Sequence, residues 1–214
     1  MNFQLSYADI GILFFLTLGP LKAILPFARV TRGTETAFRR TVAWQATAIA
    51  TAIVLGVALL GPFILPNWHV SPPAIAITCG IILFYQALQI IMRTPAAVSA
   101  PADRETTSPP SPAIAVFPLA IPAIVTAPGI AAIAAIIVIN RHDLVHEAIV
   151  VALLLAVMVL NLLTLLNIEA ILKRGIAGVL PVVGWVLAVL QASLAVQIVI
   201  ASLRALEVLH WPAS

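Results

Sequence analysis

Apolar residues run along this chain in six long blocks: about Ala8–Ala28, Val42–Leu65, Ala74–Met92, Ala113–Ile139, Ala148–Leu166 and Val179–Leu203. A helix needs about 20 apolar residues to cross the roughly 30 Å hydrocarbon core of a bilayer, and each block meets that length. Within each block the apolar residues are continuous rather than alternating. Backbone groups cannot stay unpaired in lipid, so the blocks predict helices rather than strands. The expected fold is an all-α integral membrane protein with six transmembrane helices.

Two of the blocks are interrupted. The first contains "TLGPLKAILPF" (17–27), with Gly19, Pro20, Lys22 and Pro26 inside it. The fourth contains Pro118, Pro122 and "TAPG" (126–129). Proline removes a donor and clashes with the preceding turn, and glycine permits unusual dihedrals, so each Gly/Pro pair predicts a broken helix near the bilayer midplane. The two breaks occupy corresponding places in two sets of three spans. "TLGPLKAI" matches "TAPGIAAI", and Gly80, Leu83 and Gln86-Ala87 in the third span match Gly184, Leu187 and Gln191-Ala192 in the sixth, with a one-residue gap. Three spans per half force the second half to enter the membrane upside down, which is an inverted repeat. The expected organisation is a first three-helix repeat over 1–92, a flexible cytoplasmic linker over 93–112 and a second repeat over 113–214. The linker, "RTPAAVSAPADRETTSPPSPA", is rich in Pro, Ser, Thr and Ala and has no apolar period.

Composition supports a membrane protein. Of the 214 residues, 62% are hydrophobic and 9% charged, against roughly 25% charged in soluble domains. Mean hydropathy is +1.13. The net charge of +3 is too small to argue for nucleic acid as a partner; it matters for orientation instead. Arg29, Arg32, Arg39, Arg40, Arg93, Arg104, Lys173 and Arg174 flank the odd-numbered connections, against Arg141 and Arg204 on the other side. Basic loops face the cytoplasm, so both termini are expected outside. No basic residue precedes the first apolar block, so that span is expected to be retained rather than cleaved as a signal. Cys79 is the one cysteine and reads as a packing residue.

The breaks carry the candidate chemistry. A half-helix that starts inside the membrane offers unpaired N–H groups and the positive end of its dipole, which suits a carboxylate. The candidate binding residues for a solute are Thr17, Gly19, Pro20, Lys22, Thr126, Ala127, Pro128 and Gly129, with Pro26, Asn161, Gln86 and Gln191 one layer further out. The plain structural reading is a pair of proline kinks, with Thr17 and Thr126 bonding their own helices and the amides acting as interhelical glue. Lys22 has two readings. Its stem snorkels towards the cytoplasmic side, where Arg29 lies about two turns on, or its ammonium stands in a central cavity, paired with a carboxylate or in the place of a coupling cation.

The sequence resembles the MarC family of membrane proteins, which includes the SnatA-type small neutral amino-acid transporters. The stretches that carry the likeness are "AVFPLAIPAIVTAPGIAAI" (115–133), "GPLKAILPFARVTRG" (19–33), "CGIILFYQALQIIMR" (79–93) and "GVLPVVGWVLAVLQASLAVQIVIASL" (178–203). The resemblance implies a six-span, multi-pass protein of a bacterial or archaeal plasma (inner) membrane. For some members it implies transport of glycine or alanine with a coupling ion, sodium or proton. The chain departs from the family pattern at three sites. Gly19 replaces a polar residue, Lys22 replaces a small one, and Ala127 replaces the first glycine of Gly-Pro-Gly.

Other polar residues carry weaker signals. His142 and His146, with Asp143 and Glu147 beside them, read as a solvated outside loop rather than a metal site. Ala43, Thr47 and Thr51, and Ala127, Ala131 and Ala135, recur every four residues as packing seams. No nucleophile–base set, phosphate loop or buried acid pair is present, so no enzyme and no cofactor is expected. The partners expected are a small-molecule solute and the lipid bilayer, and nothing sets an oligomeric state. The function expected is a secondary transporter or exporter of a small neutral amino acid or related carboxylate, by alternating access around a midplane site. The alternative is a non-transporting structural or accessory membrane protein.

Overall fold

The computed structural model describes residues 6–64, 71–92, 112–139, 144–173 and 180–206. Among these residues the chain is helical, with no strand. The helices are α1 (Tyr7–Leu18), α2 (Pro20–Val30), α3 (Thr36–Ile64), α4 (Pro72–Met92), α5 (Ala127–Ile139), α6 (Leu144–Leu166), α7 (Ile168–Lys173) and α8 (Leu180–Ala205). An irregular wound segment, Pro112–Ile124, precedes α5.

Five stretches are long and apolar enough to cross a bilayer: Tyr7–Val30, Thr36–Gly61, Pro72–Met92, Val145–Leu166 and Val182–Ala205. The fourth block, expected as a broken span, forms a shorter apolar helix after an irregular first half. At about 1.5 Å per residue, α5 spans roughly 20 Å, less than a bilayer core. The physical reason lies in its prolines. The residue before a proline is pushed out of the α region by the proline ring. Phe117, before Pro118, has φ −133° and ψ 124°, and Ile121, before Pro122, has φ −128° and ψ 124°. Between these extended residues the chain winds in wide turns, and the Val125 N–H reaches back five residues to the Ala120 carbonyl at 2.8 Å.

The same rule sets the first break. Gly19 precedes Pro20 and is extended, with φ −74° and ψ 171°, so α1 ends at Leu18 and α2 begins on a proline that needs no N–H partner there. Glycine is also required by space. A Cβ at Gly19 would sit 1.9 Å from the Phe15 carbonyl oxygen.

Several boundaries move outward from the apolar blocks. Arg39 and Arg40, expected in a connection, lie in the first turns of α3. His146 and Glu147, expected in a solvated loop, begin α6 instead, and the His146 Nδ1 lies 3.1 Å from the Tyr7 hydroxyl. Residues 93–111 of the linker expected over 93–112, which include Arg93 and Arg104, lie outside the described residues, as do Arg141, His142, Asp143 and Arg174.

The largest helix contact is between α4 and α8, which run antiparallel. Gly80 makes it possible, since a Cβ there would come within 2.7 Å of a Val199 methyl and 3.0 Å of the Ala195 carbonyl. α3 packs on both α5 and α6. The seams are lined by Ala43, Ala46 and Ala50 on α3 and by Ala131, Ala132 and Ala135 on α5, all buried. Thr47 is buried with them, while Thr51 is half-buried and Ala127 exposed. The apolar core gathers around α1 through Ile10, Leu13, Phe14 and Leu18. Cys79 packs into the same core, as expected.

Candidate functional site

The two breaks meet. The last carbonyls of a helix have no partner of their own, and α1 ends in the protein interior, where such groups must be satisfied. Three side chains from three other places in the chain do this. The Thr126 hydroxyl donates to the Thr17 carbonyl at 3.1 Å. The Lys22 ammonium lies 3.4 Å from the same oxygen. The Asn161 amide, on α6, donates to the Leu18 carbonyl at 2.7 Å and to the Val157 carbonyl at 3.2 Å.

The second break falls three residues earlier than the Pro128-Gly129 pair. Val125 is extended, with φ −87° and ψ 110°. Thr126 then caps α5, its hydroxyl oxygen accepting the Gly129 N–H at 3.1 Å. Pro128 sits in the first turn, where no N–H is needed. One hydroxyl therefore joins the start of α5 to the end of α1. The carbonyl end of α1 carries partial negative charge and the amide end of α5 partial positive charge, so the arrangement is electrostatically favourable. Lys22 follows the same logic. It lies in the first turn of α2, an unfavourable place for a cation on that helix. Side chains lean towards the N-terminus of their helix, which carries its ammonium to the negative end of α1.

The packing around the joint is close. Thr17, Gly19, Pro20 and Gly129 are buried. A Cβ on Gly129 would lie 2.3 Å from one Leu18 methyl. The Thr17 hydroxyl bonds its own helix, donating to Leu13 at 2.7 Å, so it is the Thr17 carbonyl that joins the two breaks. Ala127 is exposed at the start of α5, and Pro128 is half-buried. Pro26 stays inside α2, where it has no N–H to offer the Lys22 carbonyl.

The amides placed one layer out divide. Asn161 is fully buried and touches the break directly. Its two donor bonds fix the amide orientation and leave Oδ1 a buried acceptor with no partner among the described residues. Gln191 and Gln86 belong instead to the α4–α8 contact. Gln191 donates to the Leu83 carbonyl at 3.0 Å and to the Gln86 side-chain oxygen at 3.1 Å. These bonds fasten two helices together. Leu18 was not a sequence candidate, yet its carbonyl and side chain both form part of the joint. In the sequence it is one more apolar residue in an apolar block.

Among the described residues no group of three or more His, Cys, Asp or Glu is placed to hold a metal. No curated protein matches the chain, and no solved structure does. A family model described as "MarC family integral membrane protein" matches residues 5–206, nearly the whole chain, and the chain belongs to that family.

Proposed function

We propose that this MarC-family chain is a secondary transporter or exporter of a small neutral amino acid or related carboxylate, working by alternating access around the joined helix breaks. The observation that carries the reading is the Thr126–Thr17 bond, which brings the two interrupted segments of the chain to one buried place. Paired interrupted helices in corresponding positions of two halves are the best sequence pointer to a midplane transport site. In this reading the two halves form an inverted repeat of six spans. The extended Gly19 and Val125 are the points about which the half-helices reorient.

The chemistry suits a zwitterion of the SnatA substrate class. A carboxylate is held by N–H groups at the starts of α2 and α5, with the Lys22 ammonium close by. The unpaired Asn161 Oδ1 accepts from the solute's ammonium. The protein sits as a multi-pass protein in a bacterial or archaeal inner membrane with both termini outside.

Counterflow into proteoliposomes tests this. Vesicles loaded with unlabelled glycine or alanine are expected to accumulate the labelled solute, and Gly129→Val is expected to abolish accumulation. A folded protein that moves no member of an amino-acid and organic-acid library, and is stabilised thermally by none of them, supports the accessory-protein reading instead.

A further inference from the structure

A second polar cluster lies away from the breaks, where two spans end. Thr36, Arg39 and Arg40 at the start of α3 face Asn167 and Glu169 at the α6–α7 corner across a cleft of about 180 Å³. Arg39 is mostly covered, with 15% of its side chain exposed; it pairs with Glu169 at 2.6 Å and donates to the Thr36 hydroxyl at 3.3 Å. Arg40 lines the same cleft, is exposed, and has no acidic partner among the described residues. Two guanidinium groups and one carboxylate leave the lining with one excess positive charge.

The cleft is also amphiphilic. Leu166, half-buried at the end of an apolar span, forms part of its wall above the buried Leu165. Its position at the ends of the spans Thr36–Gly61 and Val145–Leu166 puts it where acyl chains give way to water. Basic pockets between helices at this depth recognise lipid headgroups, and guanidinium groups match phosphate oxygens in charge and geometry.

We propose that this cleft binds the phosphodiester headgroup of an anionic phospholipid, with Arg40 as the principal contact and Arg39 held in place by Glu169. A soluble anion satisfies only the polar side of the cleft. A lipid satisfies the polar side and the leucine wall together, and it is supplied at high local concentration by the leaflet itself.

The test is lipid binding by native mass spectrometry of the full chain in detergent, with phosphatidylglycerol, phosphatidylcholine and inorganic phosphate as separate probes. Wild type is expected to retain phosphatidylglycerol over phosphatidylcholine. Arg40→Gln is expected to weaken that retention about fivefold, the size expected for one basic residue at an anionic surface. Arg40→Lys is expected to keep most of it. Glu169→Gln is expected to strengthen it, because it removes the one negative charge from the lining while its amide oxygen still accepts from Arg39. The variants sit at exposed positions, and unchanged thermal unfolding without lipid serves as the folding control. Equal retention of the two lipids by wild type, or no effect of Arg40→Gln, overturns the proposal. So does inorganic phosphate binding that responds to Arg40→Gln while phosphatidylglycerol shows no preference.

Discussion

The Thr126 hydroxyl donates to the Thr17 carbonyl across 109 residues of sequence and accepts the Gly129 N–H three residues ahead of it. A single side chain thus terminates one half-helix and begins another. That double use makes Thr126 sensitive to substitution in a way a surface cap is not. Thr126→Val keeps the shape and removes both bonds. It is expected to lower stability by about 2 kcal/mol, combining the loss of a cap with the loss of one of the two donors to the buried Thr17 carbonyl. Thr126→Ser is expected to retain most of the stability. Thermal or denaturant unfolding in detergent checks both.

Gly129 and Leu18 form a steric pair. Gly129→Ala puts a methyl where a Leu18 methyl already stands, at a fully buried position with little room to yield. Overpacking of this kind costs typically 1–3 kcal/mol, more than the roughly 1 kcal/mol of helix propensity that alanine returns. Shortening the neighbour with Leu18→Val is expected to relieve the clash. The double variant is therefore expected to be more stable than the sum of the single effects, which a double-mutant cycle measures directly.

Lys22 supplies a fixed cation at the negative end of α1. On the transport reading it stands where a coupling sodium would otherwise be held. Wild-type uptake is expected to be indifferent to a sodium gradient, and Lys22→Ala is expected to lose uptake or to become sodium-dependent. Parallel uptake assays with and without the gradient read this out. Sodium-dependent uptake of equal size in both proteins removes Lys22 from the coupling scheme.

Gly80 controls the antiparallel α4–α8 contact independently of the breaks. A side chain there meets a backbone carbonyl at Ala195 as well as a Val199 methyl, and the backbone cannot rotate aside. Gly80→Leu is expected to part the two helices and strain the Gln191–Leu83 bond. We expect a loss of several kcal/mol, seen as a large drop in unfolding temperature. Gly56, where an added Cβ would meet nothing within 4 Å, is expected to tolerate alanine with little change.

Much of this architecture was legible in the residues themselves. Apolar block length located the spans, because a bilayer sets one length for every helix that crosses it. The break at Gly19 was legible because the steric rule behind it acts between adjacent residues. The same rule, applied to Phe117 and Ile121, accounts for the irregular first half of the fourth segment, which its prolines marked as interrupted. Span ends were less legible. Thr36–Thr41 and Leu144–Glu147 are polar enough to read as connections, yet helices continue through them.

The amino-acid sequence by itself determined that the chain is helical, apolar and interrupted at two related places, and it placed an unusual lysine beside the first interruption. Only the tertiary structure decided what those interruptions do for each other. The buried carbonyls that the end of α1 leaves at Thr17 and Leu18 are satisfied by Thr126 and Asn161, 109 and 143 residues distant. Local sterics dictate where a helix must stop. The partners of the groups left at its end are chosen by whichever distant side chains the packed core brings within hydrogen-bonding reach.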